Sequence, residues 1–300
     1  SGFSQISTGY YHTCALTSDG YAWCWGKNDH GQLGDSSNTN SSVPVAVNGS
    51  RFTQISTGFS HSCALDTSGY PWCWGSNNHG QLGNNTTNDS TAPVYVNSSP
   101  QFVKIAVGTD HSCGLDAAGT VYCWGSNGFG QLGNNSSTDN YTPVMVSGGL
   151  NFSQISAGQS FTCGITSSNA AYCWGRNLTG QLGDGSKTNS PVPVAVSGNR
   201  AFGKISAGFD HTCAVTASGS ETYCWGANRY GPLGNSSTNS STTPVLVNGV
   251  SDYTEISMGE SHSCGVTIAG GVRCWAVHKK PWAKLKRKPP IMRLAWSPAG

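Results

Sequence analysis

Three hundred residues with only 10% charged side chains and 40 glycines describe a turn-rich chain, and no run is long and apolar enough to cross a bilayer as a helix. The formal charge of +2 divides unevenly, because residues 276–300 hold Lys279, Lys280, Lys284, Lys286, Arg287, Lys288 and Arg293 with no acid. Residues 1–275 are left with nine basic against fourteen acidic side chains, a net −5, which excludes a basic nucleic-acid surface from the body of the chain.

In chain order the predicted elements repeat. Gly-x-x-His-x-Cys-x-Leu, a short turn, and Cys-Trp-Gly-x-Asn-x-x-Gly-Gln-Leu-Gly return about every fifty residues, the mark of a repeat architecture. Each copy reads as four short strands; in the second copy they are Phe52–Ser56, His61–Asp66, Tyr70–Trp74 and, after a polar loop, Pro93–Val96. The turn between the second and third strands is Ser18-Asp19-Gly20, then Thr67-Ser68-Gly69, Ala117-Ala118-Gly119, Ser167-Ser168-Asn169 and finally Ile268-Ala269-Gly270. Each ends on a residue tolerant of positive φ, as a three-residue hairpin loop requires. A unit this small cannot bury its own face, so residues 1–275 are expected to form one cooperative array, with 276–300 as a basic tail. Because Ser1 already lies inside the first copy, any secretion signal is expected to have been removed or to lie outside this sequence.

The hairpin register pairs the cysteines. Cys14 faces Cys24, Cys63 faces Cys73, Cys113 faces Cys123, Cys163 faces Cys173, and Cys264 faces Cys274. In the fifth copy Cys213 and Cys224 are one residue further apart, and a four-residue turn, Ala217 to Ser220, restores the pairing. Directly facing strand residues bring their Cα atoms to about 4.5–5.5 Å, within disulfide range. Two other fates fit the residue types: buried free thiols packing as small hydrophobes, and zinc ligation together with His12, His61, His111, His211 and His262. Retention of both cysteines in every copy favours disulfides and an oxidising compartment. A metal site is disfavoured by the fourth copy, where Phe161 replaces the histidine while Cys163 and Cys173 remain. The histidines are therefore read as structural hydrogen-bonding groups, and no metal or cofactor is expected.

These residues resemble the regulator of chromosome condensation repeat family, in particular its bacterial-type secreted variant with paired cysteines in each repeat. The likeness runs from residue 3 to 275 and rests on segments such as Gly26-Lys27-Asn28-Asp29-His30-Gly31-Gln32-Leu33-Gly34. It implies an all-β fold, a β-propeller of four-stranded blades, with six repeats visible. Gly231-Pro232-Leu233-Gly234 departs from the pattern, and the sixth copy is incomplete: Ala276 follows Cys274-Trp275 and no Gly-Gln-Leu-Gly appears. Either residues 290–294 of the tail supply a closing strand beside the first repeat, or the chain is part of a seven-bladed ring.

In such a propeller the loop before the second strand and the loop after the third share one rim. Their contents vary while their flanks do not, as a binding surface would. Tyr10, Tyr11, Phe59, Asp110, Phe129, Phe209, Asp210, Tyr230 and Glu260 are the candidate partner-binding residues, a mixture of aromatic anchors and acids. The repeated tryptophans, Trp25, Trp74, Trp124, Trp174, Trp225 and Trp275, are too regular for a ligand site and are assigned to core packing. The chain carries no paired-carboxylate motif, nucleophile elbow or phosphate loop, so it is not expected to be an enzyme. The reading is a non-enzymatic, secreted or cell-surface scaffold that engages a protein partner through one rim. A glycan-binding adhesin and a self-assembling subunit of an extracellular filament or matrix are the alternatives.

Overall fold

The computed structural model describes residues 2–249 and 252–276. They form 23 strands and, among the described residues, no helix. The strands make six antiparallel sheets in simple up-and-down order, five of four strands and a sixth of three. This is a six-bladed β-propeller. The inner strand of each blade packs on the inner strand of the next, from Phe3–Thr8 in blade 1 to Tyr253–Met258 in blade 6. The candidate closing strand at 290–294 lies outside the described residues.

The second blade follows the expected plan closely, with strands Phe52–Thr57, His61–Asp66, Pro71–Gly75 and Ser90–Tyr95. Its outer strand begins three residues before the expected Pro93, because Ser90 already pairs with Gly75 across an irregularity in the ladder. Proline is tolerated there since an outermost strand can turn its missing N–H toward solvent. Hairpin turns end at positive φ, for example 83° at Gly69 and 65° at Asn169.

All six cysteine pairs are disulfides, with Cα atoms 4.0–4.1 Å apart, closer than the sequence-based expectation. Each crosslink joins the facing positions of its hairpin and no free cysteine remains. The bond also belongs to the core between blades. Cys14 and Cys24, with Leu16 and Leu33, pack against Phe52, Ile55 and Trp74 of blade 2, and the arrangement recurs at the following junctions. Residues of one repeat therefore bury only against the next, which is why the unit cannot stand alone.

Polar groups clasp the same junctions. The Gln32 backbone carbonyl of blade 1 accepts both the Trp74 indole N–H, at 2.9 Å, and the Ser62 hydroxyl, at 3.1 Å, from blade 2. His12 Nε2 lies 2.8 Å from the same hydroxyl. Since the single serine proton goes to the carbonyl, the imidazole must donate through Nε2–H, leaving Nδ1 as a buried lone pair with no partner. His61 to Ser112, His111 to Thr162 and His211 to Ser263 repeat the link at 2.9–3.0 Å. Phe161, fully buried, stands in the histidine place of blade 4 and contributes packing instead. The Pro232 departure is harmless to the clasp because its carbonyl, not its side chain, accepts from Ser263 and Trp275.

The seam between blades 6 and 1 differs. Phe3 and Ile6 are 56% and 63% exposed, whereas their counterparts Phe52 and Ile55 are 3% and 2% exposed. A cleft of about 670 Å³ separates Ile6 and Thr8 from Cys264, Val266 and Val272.

Two outcomes follow for stability. Intact-mass analysis under denaturing, non-reducing conditions with alkylation should find no modified thiol, and reduction should remove roughly 2–3 kcal/mol per ten-residue loop closed. Burial lowers the pKa of His12, His111 and His211 to about 4 and of His61 to about 3. A group that is neutral when folded but titrates near 6.5 when unfolded stabilises the fold fully above pH 6.5. That stability is lost as pH falls toward 4, at about 1.4 kcal/mol per pH unit for each proton taken up on unfolding. Asp110 and Asp210, raised by burial, oppose this loss in part. Denaturant melts between pH 7 and 4.5 should show the decline, and His111→Phe should reduce its slope by about one proton.

Candidate functional site: an aromatic rim round the axial channel

In each of the first five blades the two variable loops share a rim, because they are hydrogen-bonded to each other. The N–H groups of Lys27, Ser76, Ser126, Arg176 and Ala227, just after the third strand, donate to the carbonyls of Tyr11, Ser60, Asp110, Ser160 and Asp210, just before the second. A buried asparagine holds the longer loop. Asn28 accepts from the Leu33 N–H and donates to the Ser37 and Thr39 carbonyls, and Asn77, Asn127, Asn177 and Asn228 do likewise in later blades. Scaffold groups thus satisfy the loop backbone without drawing on the variable side chains.

The axial channel opens at this rim. Its mouth is lined by one glycine per blade, Gly9, Gly58, Gly108, Gly158, Gly208 and Gly259, followed at once by Tyr10, Phe59, Thr109, Gln159, Phe209 and Glu260. The glycines are required by close approach: a Cβ on Gly58 would sit 2.1 Å from the Gly108 carbonyl oxygen, and one on Gly108 would sit 2.6 Å from that of Gly158. Above this ring the aromatic side chains converge. The Tyr10 ring centroid lies 4.7 Å from Phe59 in the adjacent blade and 6.4 Å from Phe209 in blade 5, while Tyr11 edges both Tyr10, at 4.5 Å, and Phe59, at 5.3 Å. Tyr10 and Tyr11 remain 41% and 48% exposed. The Glu260 carboxylate, beside Tyr10 at the channel mouth, raises the Tyr10 pKa.

The other expected partner-binding residues lie outside this cluster. Asp110 is partly buried, and burial raises its pKa while His79 opposes the rise. Asp210 is engaged by Arg176, which also donates to Gln159 Oε1 at 3.0 Å and lies 5.9 Å from the Phe129 ring centre. Phe129 and Tyr230 are exposed, and Arg229 covers the Tyr230 ring at 5.6 Å. Sequence reasoning passed over Arg176, and it placed Leu178, 53% exposed, on the same variable loop without naming it a binding residue. The signal for Arg176 was available, since it fills the variable position of Gly-x-Asn, where Lys27, Ser76, Ser126 and Ala227 stand in other copies. Tandem His–Asp pairs, His30 with Asp89 and His79 with Asp139, bridge successive blades at 2.8 Å. Among the described residues no three His, Cys, Asp or Glu side chains converge as a metal site would need.

The repeated tryptophans lie at the blade junctions. Trp74, Trp124, Trp174 and Trp225 are fully buried, and Trp25, at the open seam, is only half-buried.

With the blades and rim in place, the sequence matches the model of the RCC1-like domain over residues 1–278. The chain belongs to the RCC1-like domain family. RUG3 of Arabidopsis thaliana, a mitochondrial RCC1 domain-containing protein, is 48% identical over 44 residues, 15% of this chain and 10% of that protein. The Arabidopsis ultraviolet-B receptor UVR8 is 52% identical over 44 residues, again 15% and 10%. The match thus spans about a tenth of these relatives' length. Among solved structures, human WBSCR16 superposes with a TM-score of 0.79 at 22% identity, covering 87% of this chain and 71% of that one. Prp20p from Saccharomyces cerevisiae, studied for its binding to Gsp1p and histones, superposes at 0.78 with 25% identity, covering 91% and 72%. This RCC1-like propeller shares their blade architecture.

The glycine ring makes a sharp test of the channel. Gly58→Ala should destabilise the protein by about 1–3 kcal/mol in denaturant melts, since the added methyl cannot fit without backbone movement. Gly128→Ala, where no atom of the described residues lies within 4 Å and φ is outside the left-handed region, should cost little.

Proposed function

We propose that this RCC1-like chain is a non-enzymatic scaffold that binds a protein partner through the rim around its axial channel, in an oxidising, extracellular setting. The observation that carries the reading is the convergence of Tyr10, Phe59 and Phe209, from three different blades, into one partly exposed aromatic cluster. Aromatic side chains clustered at the centre of a surface and ringed by polar groups have the composition of protein-interface anchors. Phe129, Leu178 and Tyr230 extend apolar surface outward along the same rim. The six disulfides support the extracellular part, since such bonds persist where thiols are not kept reduced. The yeast relative Prp20, crystallised with Kap60 bound, gives a precedent for protein partners on this fold.

Affinity capture from the native extracellular milieu tests the proposal. The unaltered chain should retain a defined protein that a Tyr10→Ala, Phe59→Ala, Phe209→Ala, Tyr230→Ala variant releases, with each anchor residue contributing on the order of 2 kcal/mol. An outer-strand control, Leu246→Ala, should bind normally. Equal capture by both proteins sinks the aromatic rim, and retention of glycans or concentration-dependent polymerisation in place of a protein sinks the partner class.

A further inference from the structure

The channel mouth has a composition that selects one kind of group. Of the six side chains that follow the glycine ring, three are aromatic, two are neutral and polar, one is the exposed carboxylate of Glu260, and none is basic. The space they enclose is about 180 Å³, below the roughly 300–1,000 Å³ of sites for drug-sized ligands and suited to a single side chain. Aromatic faces and a carboxylate attract cations, and both repel or ignore anions. The rim already contains such a pairing. Lys27 Nζ lies 5.2 Å from the Tyr11 ring centre while its charge is met by Asp29 at 3.1 Å.

The remaining rim cations are spoken for. Arg176 is engaged by Asp210 and Gln159, and Arg229 lies over Tyr230. Glu260 is paired with no basic group among the described residues and stands beside Tyr10 at the mouth. The net −5 of residues 1–275 adds a long-range field of the same sign.

We infer that the mouth of the axial channel receives one lysine or arginine side chain of the protein partner, its cationic head held by the Glu260 carboxylate and the faces of Tyr10, Phe59 and Phe209. This deepens the rim proposal and rests on it. A cationic head in the mouth gives the Glu260 carboxylate a charge partner, which a purely apolar anchor would not.

The test uses the full chain and Nα-acetyl-lysine methylamide, followed by NMR of the Tyr10, Phe59 and Phe209 ring protons. Saturable shifts are expected, with at least tenfold weaker binding in Glu260→Gln and in Phe209→Leu, attenuation by salt, and no change in the outer-strand control Leu246→Ala. Glu260 is exposed, so its variant should fold, and an unaltered melting temperature establishes that. The inference is overturned by equal binding of the neutral Nα,Nε-diacetyl-lysine methylamide or by indifference to Glu260→Gln. A response to tetramethylammonium alone, with none to the lysine probe, also overturns it. Loss of partner capture in the aromatic variant without any lysine response leaves the rim proposal standing and removes only the cation.

Discussion

One backbone carbonyl per blade junction carries the architecture. At Gln32, Gln81, Gln181 and Pro232 it accepts the indole N–H of the next blade's tryptophan together with the next blade's serine or threonine hydroxyl. At Gln131 the hydroxyl of Thr162 still donates, while the Trp174 N–H is buried without a partner. A tryptophan deep in an apolar junction needs somewhere to send its N–H, and the carbonyl exposed by the Gly-Gln-Leu-Gly turn provides it. Gly34 makes room for this contact, since a Cβ there would meet the Trp74 indole nitrogen at 2.8 Å. Motif residues that are far apart in the repeat are thus two halves of one contact between neighbours.

This division of labour explains why the rim is free to vary. Disulfide, tryptophan, histidine and buried asparagine satisfy the junctions and the loop backbone from within. The side chains at 10, 59, 109, 159, 209 and 260 owe the scaffold little beyond the glycine that precedes each. Variation there changes what the channel mouth attracts without disturbing the blades, which is the condition for a binding surface built on a rigid frame. Arg176 marks the limit of that freedom. It ties Phe129, Gln159 and Asp210 together across three blades, so Asp210 is as much a structural partner as a surface acid.

The histidines show how one position can be polar in most copies and apolar in one. His111 fills its junction with a ring that also donates one hydrogen bond, and Phe161 fills the equivalent place with the ring alone. Burial keeps these imidazoles neutral, which makes them unsuited to shuttling protons near neutral pH and suited to packing. The same residue type on the rim, as His30 and His79, bonds an aspartate of the next blade.

The six repeats, the hairpin register and the cysteine pairing were legible in the sequence because each follows from local spacing: a period of about fifty residues, a turn of three, and facing positions ten residues apart, whereas whether the ring had six or seven blades was not. The extra residue between Cys213 and Cys224 was readable for the same reason, its turn being lengthened to match. The rim could be assigned from strand direction alone, and so could its aromatic content. What lay beyond the sequence was every contact between residues of different copies. Nothing in local spacing says that Tyr10 meets Phe209 across the axis, that Ser62 joins His12 to Gln32, or that Phe3 and Ile6 lack the cover their counterparts enjoy. Repetition determined the blade; only the arrangement of the blades around an axis, which sets distances between residues fifty or two hundred positions apart, decided the channel and the cluster at its mouth.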